Sequence, residues 1–169
     1  MNTFLLIVAG VMLTAAVVMA FIPQSWSAPL AWLGLLLARL SGHLMLSTGQ
    51  VIFWAVAAAI VLGINYLLPV AVVKSRRGVP YIAGGALVGA FVGMIASGAM
   101  LIVGSVVGAT FGALAYKRTP AGADLEFPSR RFFNYLAAKG LPAVVTLCIV
   151  GIALGLIVTQ YTLLSTLNP

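Results

Sequence analysis

Charge is scarce in this chain. Only 7% of its 169 residues are Asp, Glu, Lys or Arg, and just two of those are acids. With 63% of the residues hydrophobic, no soluble domain could keep such a surface dispersed, which leaves an integral membrane protein. Histidine and cysteine occur once each, as His43 and Cys148. A lone cysteine makes no internal disulfide, and a lone histidine with no cysteine or acid nearby in sequence supplies no metal-ligand set. No nucleophile stands beside a base, and no phosphate loop follows a strand. Neither an enzyme activity nor a cofactor is therefore expected. The basic residues form no continuous stripe between aromatics, which argues against nucleic acid as a partner.

What the chain has in abundance is uncharged apolar sequence. Residues 3–22 carry no charge. At 1.5 Å per residue, about 20 residues cross a hydrocarbon core of roughly 30 Å. The start lacks the basic segment of a cleaved signal, so this run is expected to remain as the first membrane helix. A turn rich in helix breakers, PQSWSAP, leads to a second apolar run at 30–46. Arg39 and His43 interrupt that run, and burying Arg39 at mid-membrane is costly, so the segment is expected to be short, tilted or re-entrant. After a polar break at 47–50, residues 51–73 form a third span containing Asn65 and Pro69. Lys74, Arg76 and Arg77 follow it directly.

The most distinctive stretch is 81–116, where glycines recur every fourth residue. Gly85, Gly89 and Gly93 form one ladder and Gly104, Gly108 and Gly112 another. Residues four apart share a helical face, so each ladder is a groove into which another backbone can settle. In water so many glycines would oppose helix, but in a bilayer the amides have no competing solvent partner. The expectation is a tight hairpin, 81–96 and 99–116, turning at Ser97 and Gly98, with its ends flanked by basic residues including Lys117 and Arg118.

The only polar loop of any length holds both acids, Asp124 and Glu126, which read as solvated. Ser129 can cap a helix at 129–139, with Phe132, Phe133, Leu136 and Ala137 on one face. Arg130, Arg131, Asn134 and Lys139 fall on the other, the pattern of a helix lying in the membrane interface. Gly140 and Pro142 reset the chain before a last span at 142–164, which has its own small face at Gly151 and Gly155.

Eight of the nine basic residues lie between Lys74 and Lys139. Lys74, Arg76, Arg77, Lys117, Arg118, Arg130, Arg131 and Lys139 are expected to meet anionic lipid headgroups, with the basic loops on the cytoplasmic side. Arg39 and His43 read either as an interfacial anchor or as a site for a phosphate or carboxylate. Asn65 reads either as an interhelical hydrogen-bonding group or as part of a polar path. Trp26, Trp32 and Trp54 read as interfacial belt residues. Helix, break, helix and long span occur twice, at 3–73 and 81–164, a pattern compatible with two inverted halves.

The order of FIPQSWSAPLAWLGLLLARLSG, NYLLPVAVVKSRRG and the glycine hairpin resembles the bacterial membrane proteins of domain-of-unknown-function family 456. That resemblance covers roughly residues 3–116 and implies a bacterial inner-membrane protein with a glycine-zipper hairpin. It implies no particular activity. Family members usually carry an aspartate at the position of Asn65, an extra proline in the hairpin turn, and a glutamate where this chain has Ala113 or Ala115. The absent carboxylates count against any coupled transport mechanism borrowed from the family.

The sequence thus predicts one all-α membrane domain, a bundle of five to six transmembrane or re-entrant helices around a glycine-zipper hairpin. A structural or assembly role, through self-association or a membrane-protein partner, is the leading functional expectation. A small lipid or solute transporter is the alternative.

Overall fold

The computed structural model describes residues 2–22, 26–42, 46–69 and 77–167. Every regular element among them is helical: α1 (Asn2–Ala20), α2 (Ser27–Leu40), α3 (Thr48–Leu67), α4 (Val79–Ala96), α5 (Gly98–Lys117) and α6 (Arg130–Leu167), with a 3-10 turn at Pro120–Gly122. All but α2 are long and apolar enough to cross a membrane. The 14 residues of α2 reach only about 21 Å at the helical rise, short of a roughly 30 Å core.

Several boundaries have a local cause. Ser47 accepts a hydrogen bond from the Gly49 amide, while Gln50 Oε1 accepts one from the Ser47 amide. This reciprocal cap starts α3 at Thr48, so part of the expected polar break belongs to the helix. At the other end, Leu68 precedes Pro69 and is extended (φ −81, ψ 151). The proline ring disfavours the helical region for its predecessor, and α3 stops there instead of kinking and continuing. Gly42, at φ 73, follows the end of α2 in the left-handed region. His43, Lys74 and Arg76, with the expected end of the third span, lie outside the described residues.

The separation expected at Gly140 and Pro142 is absent. One helix of 38 residues runs from Arg130 to Leu167 with Pro142 inside it. A proline removes one backbone hydrogen bond, a loss that a helix surrounded by neighbouring helices can accommodate. Ser129 does cap this helix, accepting from the Phe132 amide at 3.1 Å.

The continuous α6 is the centre of the bundle, packing against all five other helices. On one side it meets the α4–α5 hairpin, and on the other α1, α2 and α3. The α1–α2 pair is itself closely packed through Ala9, Leu13 and Ala16 on α1 and Ala31, Leu35 and Ala38 on α2, all buried. A Cβ on Gly34 would lie 3.0 Å from Leu13 Cγ and 3.3 Å from the Ala9 carbonyl oxygen. Trp32 fastens α2 to α3 by donating its indole N–H to the Val51 carbonyl at 3.1 Å.

Candidate functional site

The expected glycine hairpin forms with little change of boundary. Ser97 is the single residue between α4 and α5, extended in backbone, and its hydroxyl accepts from the Met100 amide at 3.2 Å. With so short a connection, α4 and α5 run antiparallel, and the two ladders face one another. A Cβ on Gly89 would stand 2.8 Å from the Gly104 carbonyl carbon and 3.0 Å from Gly108 Cα. One on Gly85 would stand 3.1 Å from both the Gly108 carbonyl carbon and Gly112 Cα. Gly112 meets the Tyr81 and Ile82 backbone in the same way, and Gly93 meets that of Met100 and Leu101. Since real Cβ atoms do not approach so closely, glycine is required at each of these positions. The third small face is different in kind, with Gly151 against the Leu101 side chain and a Cβ on Gly155 only in ordinary contact, 3.7 Å from Met94 Cε.

Along the outward side of this seam lies an apolar groove of about 800 Å³. Gly84, Val88 and Val92 line it from α4, and Val103, Val107 and Phe111 from α5. The large side chains among them are exposed, so the groove opens away from the bundle. A second apolar groove, of about 330 Å³, runs between α5 and α6 beside Thr110, Phe133 and Gly140.

The basic end of the hairpin is held by aromatic side chains. Tyr81 and Tyr116 have ring centroids 5.7 Å apart, and Tyr116 stacks on Tyr135 of α6, also at 5.7 Å, with ring planes 14° apart. Tyr135 donates its hydroxyl to the Arg77 carbonyl, and Tyr116 donates to the Ala121 carbonyl at 3.0 Å. Gly78 has φ 72 and lies against both tyrosines, where a Cβ would be 2.7 Å from Tyr116 Cδ1. The start of α4, the end of α5 and the first turns of α6 are thereby tied together. Arg77, Arg118, Arg130 and Arg131 are exposed at this end, and Lys117 is half-buried.

Lys139 departs from its expected place among the exposed headgroup contacts. It is buried, with its ammonium 5.6 Å from the centre of the Tyr135 ring. Phe132 is fully buried while Phe133 is 54% exposed, so the two do not share a face as expected. The first turns of α6 are continuous with the bundle helix and bury a stripe through Phe132, Tyr135 and Lys139. Trp54 also departs from the belt reading, being 5% exposed, whereas Trp26 is 62% exposed.

The remaining polar candidates do not converge on one site. Arg39, in the last turn of α2, donates to Thr48 Oγ1 at 2.8 Å and so bridges to the start of α3. Asn65 is buried in α3, and neither atom of its amide has a hydrogen-bond partner. Ser27 and Thr146 are buried with unpartnered hydroxyls. Ser105 Oγ and Cys148 Sγ are 3.2 Å apart between α5 and α6. Asp124 and Glu126 are exposed. Among the described residues, no three His, Cys, Asp or Glu side chains gather as metal ligands would.

The alanine seam of α1 and α2 and the tyrosine cluster escaped the sequence reading. Ala9, Leu13, Ala16 and Ala20 repeat at helical spacing and could have revealed the first. The second joins residues too far apart in sequence for any spacing to show. Compared with protein-family models, with curated proteins and with solved structures, the chain matches none.

Proposed function

We propose that this chain is a non-enzymatic structural or assembly protein of the bacterial inner membrane, with its basic loops cytoplasmic. In this reading the α4–α5 hairpin is a glycine zipper, serving as a stiff plate beside which lipids and other subunits pack. The observation that carries it is the seam, where glycine after glycine on one arm lies against the backbone of the other. Such contact leaves no space between the arms for a solute. Both grooves beside α5 are apolar, which also favours packing over polar transport. The family resemblance is part of the same proposal and agrees with a bacterial inner-membrane setting.

The test is the mass of the protein extracted in lipid particles without detergent. A defined homo-oligomer or a retained membrane-protein partner is the expected result. A monomer that conducts a small solute in liposomes would overturn the proposal.

One observation favours a carrier as the second reading. The Asn65 amide is buried without a partner, as a group awaiting a polar substrate would be. Asn65→Leu separates the two readings. A purely structural Asn65 predicts a more stable protein, because an unsatisfied buried polar group costs about 1–3 kcal/mol. A carrier predicts lost flux.

A further inference from the structure

The outward groove of the hairpin combines three features that together describe an amphiphile. It is apolar, it is long enough to seat a chain, and it begins at the basic end. Its lining runs on α4 from Tyr81 to Ala96, about 22 Å at the helical rise, against about 15 Å for one leaflet of a roughly 30 Å hydrocarbon core. On α5 it reaches Ala115, and Arg118, three residues on, falls on the same helical face. Arg77 precedes Tyr81 by four residues on the other arm. Tyr81 is half exposed beside the groove's mouth, offering a ring to the chain and a hydroxyl to a headgroup.

We propose that this groove seats an acyl chain of one anionic phospholipid, whose headgroup phosphate is held by Arg77 and Arg118. The alternative occupant, a second copy of the chain, fits less well. Two copies inserted in the same direction and meeting groove to groove would bring these cations together at one level of the membrane, a like-charge arrangement that opposes association. An anionic lipid neutralises the same cations. The proposal rests on the membrane reading above and adds a ligand to the hairpin.

Gly84 provides a test that leaves the seam alone. It lines the groove, yet a Cβ there would meet nothing within 4 Å, unlike its neighbour Gly85. Gly84→Leu therefore fills the groove without parting the arms. Ala115→Leu fills it from α5, as a second variant should the first fail to fold. Gly10→Leu is the control, placing the same side chain in open space on α1.

The full chain is reconstituted in vesicles of equal phosphatidylglycerol and phosphatidylcholine, then stripped of loosely held lipid and weighed by native mass spectrometry. The wild type and Gly10→Leu are expected to retain one phosphatidylglycerol per chain, and the groove-filling variants to lose it. Arg118→Gln should cut the preference for phosphatidylglycerol over phosphatidylcholine by on the order of fivefold. Retention by the groove-filled variants, equal retention of the two lipids by the wild type, or cross-linking of copies through Val88 to Cys would each overturn the proposal. A chain that fails to enter the vesicles would instead refute the membrane reading on which it stands.

Discussion

Gly89 and Gly84 lie on one helix five residues apart, and alanine at the two should have opposite effects. At Gly84 the new methyl meets nothing within 4 Å. Only the backbone preference remains, which favours alanine over glycine in a helix by roughly 0.5–1 kcal/mol. At Gly89 the same methyl would stand 2.8 Å from the Gly104 carbonyl carbon and 3.0 Å from Gly108 Cα. Ordinary carbon contacts are about 3.5–4.0 Å, so the arms must separate by about 1 Å, forfeiting a quarter to a half of their dispersion contact near that point. Overpacking of this kind costs about 1–3 kcal/mol. Because both variants share the backbone gain, their difference isolates the clash at about 1–3 kcal/mol. The assay is reversible unfolding of both proteins in the same bicelles, followed by an unfolding-dependent binding probe. Equal stabilities would refute the claim that the seam is closed to a Cβ.

Other perturbations probe the ends and the flanks of the bundle. Gly78→Ala forces a left-handed residue at φ 72 and a clash with Tyr116, and should destabilise by at least the ~1–2 kcal/mol cost of that backbone region, read as a lower thermal midpoint. Tyr135→Phe removes only the hydroxyl that binds the Arg77 carbonyl, so a loss of about 0.5–1.5 kcal/mol is expected, together with faster amide exchange around residues 77–79. Unchanged exchange there would show that the tyrosine does not tie this connection. Trp32→Phe keeps an aromatic ring but leaves the Val51 carbonyl without its indole donor. The α2–α3 contact should weaken by about 1 kcal/mol, detected as earlier unfolding of α3 by hydrogen exchange.

How much of this was legible in the sequence depended on the distance between the residues that decide each feature. The hairpin could be read because its cause is local: glycine at every fourth position on both arms and a serine able to cap at the turn. Even its partner face was implied, since no other face of either helix is so free of side chains. The long α6 was misread for a related reason. Gly140 and Pro142 are local breakers, but the neighbours that allow the helix to continue come from elsewhere in the chain. Ile82 Cγ2, for example, lies 3.7 Å from where a Cβ on Gly140 would be. Lys139 was placed on an exposed face because a helical wheel has no knowledge of a neighbour, and Tyr135 with the end of α5 changes which face is interior. Trp54 shows the same limit: its burial is set by the helices around α3, while its sequence position suits an interface equally well. Asn65 was conspicuous as the polar residue in a span, yet its burial without a partner is visible only once the bundle is assembled.

The single-residue connection at Ser97 also governs how the hairpin can err. Because the ladders repeat every four residues, the arms could in principle re-pair after sliding by one repeat, about 6 Å, and still match glycine with glycine at most positions. Smaller slips would drive valine or alanine side chains into a carbonyl and are closed. The seam by itself therefore allows a short series of discrete registers, like teeth on a rack, and does not choose among them. Ser97 chooses, because a one-residue link has no slack for a 6 Å slide. Lengthening that link by a few flexible residues would leave every contact in the seam intact and yet allow the hairpin more than one alignment.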